Sequence, residues 1–243
     1  MNSGQTPRGW LEDHSLQTSE QLFAIFSNAS SAGALSAWRR SIDATPTPIW
    51  ADTPYAGWEA VMPYVGLVRA DSEFLDWIAA TDSLDWGWLA VSRADQEDLA
   101  EHLRGLTQVL LPNGKAVFLR FWDGRFMGPI LQSTAVDAGR LLPAINRCLI
   151  NGRSHEFVGN VQRPARVFPW WEVPEALLET MAEAPTECLV DNLLTWLGEE
   201  HPSLCERVDH RILRCKIAHF LERSKPLAAP KALLQAYLLR ELG

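Results

Sequence analysis

Two histidines and two cysteines near the carboxyl end of the chain have the residue types of a zinc site. Three residues separate His201 from Cys205, and three separate Cys215 from His219. Zinc in proteins is commonly held by cysteine and histidine ligands in closely spaced pairs. This is the arrangement in the chain that most resembles a metal site, so its geometry decides whether a metal is expected.

The predicted local structure argues against such a site. The apolar periodicity predicts one helix over residues 203–223, in which Cys205 and Cys215 would lie about 15 Å apart at about 1.5 Å per residue. One zinc ion cannot span that distance. The site would form only if Asp209 and His210 made a turn, and neither is a strong turn former. We therefore expect buried thiols and surface imidazoles, with no metal and no cofactor.

Ser92, His102 and Asp123 supply the residue types of a hydrolytic triad. No Gly-x-Ser-x-Gly turn surrounds Ser92, although such a turn usually presents a serine nucleophile. Ser92 and Asp95 instead resemble a capping box at the start of a helix. The chain also lacks the glycine-rich loops that hold nucleotide phosphates. We expect no catalytic and no cofactor-binding residues, and therefore no enzyme activity.

Strand and helix patterns alternate in the part of the chain that would position these residues, from Val61 to Leu131. Short apolar runs favour strands, and one-sided apolar spacing favours helices. Asn113 and Gly114 predict the tight turn of a hairpin, because this pair tolerates positive φ angles. The predicted elements are a strand over 62–68, a helix over 71–80, a strand over 86–91, a helix carrying Leu99, Leu103 and Leu106, and a hairpin of strands 109–111 and 116–121.

Short motifs in this region carry a resemblance to a known family. They are Pro63-Tyr64-Val65, Leu75 with Trp77, Trp86-Gly87, Ser92, Leu103-Arg104, Leu111-Pro112-Asn113-Gly114, and Arg120-Phe121-Trp122-Asp123 with Arg125. In this order and spacing they resemble the Tap/TEC-type effector adaptor chaperones of bacterial type VI secretion, long known only as a domain of unknown function. Two positions depart from the family pattern: Gly124 replaces a proline and Trp122 replaces a tyrosine.

The resemblance implies a carrier and not a catalyst. Members of this family bind a toxic effector protein in the bacterial cytoplasm and load it onto the VgrG spike protein. Two other functions remain open: an immunity protein that binds and inhibits a toxin, or a hydrolase or effector fragment. The family-motif residues are expected to be mainly structural; they are Trp86, Gly87, Arg104, Asn113, Gly114, Arg120, Asp123 and Arg125.

Composition is compatible with a soluble binding protein. The chain has 243 residues, of which 47% are apolar, and a formal net charge of -8. An acidic protein without a clustered basic face is not expected to bind nucleic acid. We find no apolar run long enough to span a membrane and no hydrophobic signal segment, so a cytoplasmic location is expected. Four cysteines are too few for a disulfide framework.

Proline-rich breaks divide the chain into predicted regions. A flexible, polar N-terminus over 1–18 precedes a mixed α/β lobe over 19–160, with a small mixed sheet flanked by helices. Pro164, Pro169 and Pro174 mark a junction over 161–174 that cannot continue a helix. An α-helical lobe follows over 175–243. Within the first lobe, residues 134–150 are predicted to form a helix that turns Leu141, Leu142, Ile145 and Leu149 inward.

Eleven tryptophans suggest a binding protein, since tryptophan is enriched at interface hot spots. Trp77, Trp86 and Trp88 are expected in the core. The remaining candidates are Trp10, Trp38, Trp50, Trp58, Trp122, Trp170, Trp171 and Trp196. We expect Trp170 and Trp171 to contact a partner, and also the basic residues Arg207, Arg211 and Arg214 in a helical groove.

Overall fold

The computed structural model describes residues 4–157, 164–183, 187–201, 205, 208–223 and 230–242. They form two compact units, Met1–Met181 and Ala182–Gly243. The first helix of the predicted helical lobe begins in the first unit, because Leu177 is buried in that unit's core. The division in the structure therefore lies one helix later than the boundary drawn from the prolines.

The described residues of the first unit form eight strands, which include the four predicted over 62–68, 86–91, 109–111 and 116–121. In chain order they are β1 (Gln21–Ser27), β2 (Thr47–Pro48), β3 (Pro63–Val68), β4 (Gly87–Ser92), β5 (Gln108–Leu110), β6 (Ala116–Phe118), β7 (Arg147–Ile150) and β8 (Arg153–Glu156). A six-stranded sheet has the order β2-β3-β1-β4-β7-β8, and β5 pairs with β6 separately. Every pairing within the larger sheet is antiparallel, so the expected mixed sheet is wrong in this respect.

The central strand β1 explains why this sheet has two cores. It pairs with β3 on one side and β4 on the other, so that Ala24 lies opposite both Gly66 and Leu89. Side chains alternate between the two faces of a strand. Phe23 and Ile25 accordingly join one buried cluster, while Leu22, Ala24 and Phe26 join the other. A strand buried on both faces appears in the sequence as a continuous apolar run.

Helices cover the two faces of the sheet. Those of the first unit are α1 (Pro7–Asp13), α2 (Ala34–Ser41), α3 (Glu73–Ala80), α4 (Gln96–Arg104), α5 (Gly124–Gln132), α6 (Ala138–Leu141) and α7 (Glu175–Glu183). Residues of α1, α2 and α3 pack into the cluster with Phe26, whereas residues of α4, α5, α6 and α7 pack into the cluster with Phe23. The mixed α/β fold class is thereby confirmed for this unit.

The N-terminal region contains a helix where a flexible segment is expected. The Trp10 side chain in α1 is fully buried, and its Nε1–H donates to Ser154 Oγ at 2.9 Å. Arg8 binds Asp76 through Nε–Oδ1 and Nη2–Oδ2 contacts of 2.7 Å. Thr6 caps the helix by accepting a hydrogen bond from the Gly9 N–H. The order comes from contacts with distant residues, which the polar local sequence does not reveal.

The predicted helix over 134–150 is wrong. Its first part contains only the short helix α6, and its last part is strand β7, in which Leu149 lies opposite Leu89 of β4. Four apolar residues at these spacings fit a helix as well as a strand, and pairing with β4 decides for the strand. Strand β8 follows through a turn in which Asn151 and Gly152 both have positive φ.

The second unit is helical where the structure describes it. Its helices are α8 (Glu187–Glu200), α9 (His210–Arg223) and α10 (Pro230–Leu242). Leu197, Ile217 and Leu234 lie at the centre of its core. Because α9 begins at His210, the expected single helix over 203–223 is wrong. None of the helices in the described residues combines the length and apolar character that a membrane span requires.

Candidate partner-binding site

The predicted pair Trp170 and Trp171 lies in an extended segment beside the β5–β6 hairpin. The Leu110 N–H donates to the Trp171 oxygen at 2.8 Å, and the Val173 N–H donates to the Leu110 oxygen at 2.8 Å. The segment thus runs alongside β5 in the parallel direction. Both indoles are half-buried and pack against the core, so each presents only part of its ring to a partner.

Arg166 and Gly105 fix the position of Trp170. The Arg166 Cζ atom lies 4.5 Å from the centre of the Trp170 ring, which is a cation–π contact. Gly105 follows α4, and a Cβ atom there would lie 2.3 Å from the Arg166 oxygen and 3.2 Å from Trp170 Nε1. Any side chain at this position would displace the segment. Glycine is therefore required for the segment to dock.

An open cavity of about 370 Å³ borders these tryptophans. Its charged lining residues are Asp137, Arg140, Arg166 and Glu172. Asp137 caps α6 by accepting a hydrogen bond from the Arg140 N–H at 2.9 Å. The lining carries two positive and two negative side chains, and such a balance favours neither an anionic nor a cationic ligand.

A larger open cavity of about 660 Å³ lies beside α4. Its polar lining includes Asp98, Glu101, His102 and Asn146. None of the described residues that line it is a serine, threonine or cysteine. The cavity therefore brings no hydroxyl or thiol nucleophile to a neighbouring base.

The three predicted basic contact residues belong to the second unit. Arg207 lies outside the described residues. Arg211 is in α9, but its side chain is also outside the description. Arg214 is half-buried in the same helix. Their role in partner binding stays a prediction.

Asp123 organises the charged end of the family motif. Its carboxylate is fully buried and caps α5 by accepting a hydrogen bond from the Arg125 N–H at 3.0 Å. Arg125 also binds it through Nε–Oδ1 and Nη2–Oδ2 contacts of 3.1 and 2.9 Å, and Arg120 Nη2 lies 3.1 Å from Oδ2. Both arginines therefore have a carboxylate partner within the first unit, and the structural role of the motif stays a prediction.

Asp85 extends this network from the preceding strand connection. Its carboxylate accepts hydrogen bonds from Ser30, Ser83 and Arg125. Burial alone would raise the pKa of Asp85. The hydroxyl hydrogen bonds and the Arg125 charge outweigh burial, so the pKa lies below its ordinary value. The carboxylate is thus held in its charged form.

Trp86 and Gly87 stabilise the start of β4. The Trp86 side chain is buried against Phe74 and Trp77. Gly87 has a φ of +142°, and a Cβ atom there would lie 2.3 Å from the Ile25 oxygen. The close pairing of β4 with β1 at this point therefore requires glycine.

The remaining motif residues hold loops in place. Arg104 Nε donates to the Ile49 oxygen at 2.7 Å, which ties the end of α4 to the loop after β2. Asn113 Oδ1 accepts a hydrogen bond from the Lys115 N–H at 3.0 Å. The predicted hairpin is confirmed, although only Gly114 of the turn has a positive φ, at +77°.

The side chains of the possible triad have other partners. The Ser92 hydroxyl donates to the Ala144 oxygen and accepts a hydrogen bond from the Ala94 N–H. Asp95, not Ser92, caps α4, so the predicted capping role of Ser92 is wrong. Asp123 is held by arginines. Within the described part of the chain, no three histidine, cysteine, aspartate or glutamate side chains converge on a possible metal position.

An exposed aromatic surface is the feature that sequence reasoning did not assemble. We define it by Tyr55, Trp58 and Phe118, whose ring centres are 4.8 to 5.4 Å apart in each pair. Trp58 is 47% exposed and Phe118 is 39% exposed. The other candidate tryptophans are buried or half-buried. The available signal was Trp58 in a loop rich in small and polar residues, which favours exposure.

Comparison with known proteins adds one finding to this geometry. No curated protein and no solved structure matches the chain. A family model does match the region that contains β1 to β6 and α2 to α5. The matched region also contains all eight family-motif residues named from the sequence. Residues 22–138 are similar to the family described as a domain of unknown function, DUF4123.

Proposed function

We propose that this protein is an adaptor chaperone of bacterial type VI secretion. It binds one effector protein in the cytoplasm and loads it onto the VgrG spike protein. The observation that carries this proposal is the ordered series of motifs from Pro63 to Arg125, which resembles the adaptor chaperones. The family match over residues 22–138 is compatible with it.

The contacts of the motif residues support a role in folding for the motif. Asp123, Arg125 and Gly87 are occupied by contacts within the first unit. An adaptor needs a stable scaffold and surfaces that differ between cargoes. Cargo recognition is therefore proposed outside the motif, at Trp170 and Trp171.

A second proposed contact for cargo is the helical unit, at Arg207, Arg211 and Arg214. An amphipathic helix of a partner can lie in a groove between helices. Arginine is also enriched at protein interfaces because its guanidinium binds carboxylates in a fixed geometry. An acidic helical segment of the effector would suit these residues.

A non-catalytic role agrees with the chemistry of the described residues. Catalysis requires an acid, a base or a nucleophile that converge on one position. Ser92 and Asp123 have internal partners, and the larger cavity has no hydroxyl or thiol in its described lining. We therefore propose that the protein acts by binding alone.

The test is affinity purification of the tagged protein from its native bacterium, with mass spectrometry of the proteins that copurify. One effector recovered together with a VgrG protein is the expected result. A matched purification with the Asp123→Ala variant controls for binding by unfolded protein. A toxin recovered alone and inactive would replace the proposal with an immunity role, and recovery of no protein would overturn it.

A further inference from the structure

The aromatic surface lies next to the outer edge of β6. Phe118, the last residue of this strand, contributes one of its three rings. The Tyr55 hydroxyl accepts a hydrogen bond from Gln108 Nε2 at 2.9 Å, and Gln108 lies opposite Phe118 in the hairpin. The loop that carries Tyr55 and Trp58 is thereby fixed against the hairpin. Rings and strand edge form one surface.

Backbone groups of β6 point away from the hairpin at two positions. The Leu111 N–H donates to the Lys115 oxygen, and the Leu119 N–H donates to the Thr107 oxygen. Bonded and non-bonded pairs alternate along an antiparallel ladder. Ala116 and Phe118 therefore occupy non-bonded pairs, and their N–H and C=O groups face outward.

The two edges of this small sheet differ. On the β5 side, Leu110 is paired with the segment that contains Trp171 and Val173. On the β6 side, β5 is the only strand among the described residues that is paired with Ala116 or Phe118. An open edge is a template for another strand, and large exposed rings are enriched at protein interfaces. Together, the two features favour an extended segment of another protein as the ligand.

Two acidic residues in or beside the loop that carries Tyr55 and Trp58 indicate which charge a ligand should have. The Asp52 side chain, in the same loop, is 83% exposed and forms an ion pair with Arg104 Nη2 at 3.8 Å. Glu59 follows Trp58 directly and is exposed. Each of these carboxylates could attract a basic side chain of a partner, and such a side chain could also lie over an exposed indole face. Lys115, exposed at the turn, is the basic residue at the opposite end of the strand.

We propose that the outer edge of β6 binds an extended segment of a partner protein as an added strand. Alternate side chains of that segment are apolar and pack on Tyr55, Trp58 and Phe118, and its flanking lysine or arginine side chains pair with Asp52 or Glu59. This inference rests on the proposed function as a binding protein and adds a third surface, together with the conformation and chemistry of the partner segment that it binds. It does not depend on which effector is carried.

The probe is a displayed library of random ten-residue peptides, selected on the purified full-length protein. Selected peptides should alternate apolar residues and include lysine or arginine. Binding of the synthetic peptides is then measured by fluorescence polarisation. Trp58→Ala should weaken binding by about 30-fold, as expected for an interface hot spot.

Two matched variants test the backbone contact. Ala116→Pro removes an N–H group that faces away from β5, so every hydrogen bond of the hairpin is kept. Proline is also tolerated at strand edges. It should weaken binding by about fivefold or more. Ala116→Val keeps the N–H and should bind normally. If the proline variant does not fold, the backbone nitrogens of the selected peptide are N-methylated one at a time. Methylation at every second position should then weaken binding, because only alternate N–H groups of an added strand face β6.

Three outcomes overturn the inference. The first is a library selection that yields no alternating apolar pattern. The second is equal binding of the selected peptides to the Ala116→Pro variant and to the unaltered protein. The third is a dimer of the protein, seen by sedimentation, that the Ala116→Pro variant abolishes. The last result identifies a second copy as the occupant. Recovery of an effector and VgrG without any selected peptide would leave the adaptor function intact, and selected peptides without an effector would leave this inference intact.

Discussion

Arg125 holds the buried carboxylate of Asp123 through two side-chain contacts of 3.1 and 2.9 Å. The same bidentate geometry occurs on the surface, where Arg69 binds Asp71 at 2.9 and 2.8 Å. Each pair is separated by one residue, but only Asp123 is shielded from water. The two pairs share their side-chain geometry, while Asp123 differs from Asp71 in its burial, in its contact with Arg120 and in capping α5.

Asp123→Ala should lower the free energy of unfolding by about 2 to 4 kcal/mol, because it removes the α5 cap and the charged hydrogen bonds of Asp123, while Arg125 keeps its contact with Asp85. Urea unfolding followed by tryptophan fluorescence measures this change. Asp71→Ala is the control and should change stability little, since solvent screens its partner. Equal effects of the two substitutions would contradict the structural role of Asp123.

Gly87→Ala should destabilise the protein by about 3 kcal/mol, because the new Cβ atom would collide with the Ile25 oxygen in the central strand. Gly114 is the matched control in the same motif series. It also has a positive φ, but no described atom lies within 4 Å of a Cβ at that position. Gly114→Ala should therefore cost about 1 kcal/mol. Thermal unfolding of the two variants measures both losses, and a larger loss for Gly114→Ala than for Gly87→Ala would contradict this account.

Glu20 should make stability depend on acidic pH. Burial tends to raise the pKa of Glu20, but hydrogen bonds from the Gln17 N–H and from Arg147 outweigh it, so the folded pKa lies below its ordinary value. The unfolded chain then binds more protons. The stabilisation is present above about pH 4.3 and is lost as the pH falls through the folded pKa.

Urea unfolding at pH 5 and pH 3 measures this contribution. Glu20→Gln should lose less stability between these pH values than the unaltered protein, because the titrating group is absent. Glu12→Gln, at an exposed position of α1, is the control and should behave like the unaltered protein. If Glu20→Gln loses as much stability between pH 5 and pH 3 as the unaltered protein, other carboxylates are responsible for the pH dependence.

Trp170→Ala and Trp171→Ala should each weaken effector binding by about tenfold or more if the indoles contact cargo. Trp77→Ala is a suitable control, since Trp77 is also half-buried but packs against Phe74 in the other core of the sheet. Calorimetric titration of the purified effector measures binding. Similar losses in all three variants would indicate general destabilisation and not a contact with cargo.

Reversing charge in α9 tests the second proposed contact. Arg211→Glu with Arg214→Glu should weaken effector binding, because each change replaces an attraction to carboxylates with a repulsion. Arg39→Glu with Arg40→Glu, on exposed positions of α2, alters the net charge by the same amount. Pull-down of the effector by each folded variant should separate a local contact from net charge.

Sequence patterns identified the elements whose local signals agree with their tertiary surroundings. Strand β4 is an apolar run buried on both faces, β3 is an apolar run in which only Leu67 is exposed, and α4 has a one-sided apolar stripe that faces the core. The hairpin of β5 and β6 follows from Pro112, Asn113 and Gly114. The same region lies within residues 22–138, which are similar to the family described as a domain of unknown function. Local propensity and burial favour the same structure in each of these cases.

Tertiary structure decided the features that depend on distant residues. Leu149 lies in a strand because it pairs with Leu89 of β4, although its spacing from Leu141, Leu142 and Ile145 also fits a helix. Trp10 orders a polar segment because it enters a core built by residues far along the chain. Trp58 is exposed while Trp50 is buried beside it, since the position of the hairpin determines which ring solvent reaches. Residue type sets how strongly a side chain favours burial, and only the packed chain determines which side chains are buried.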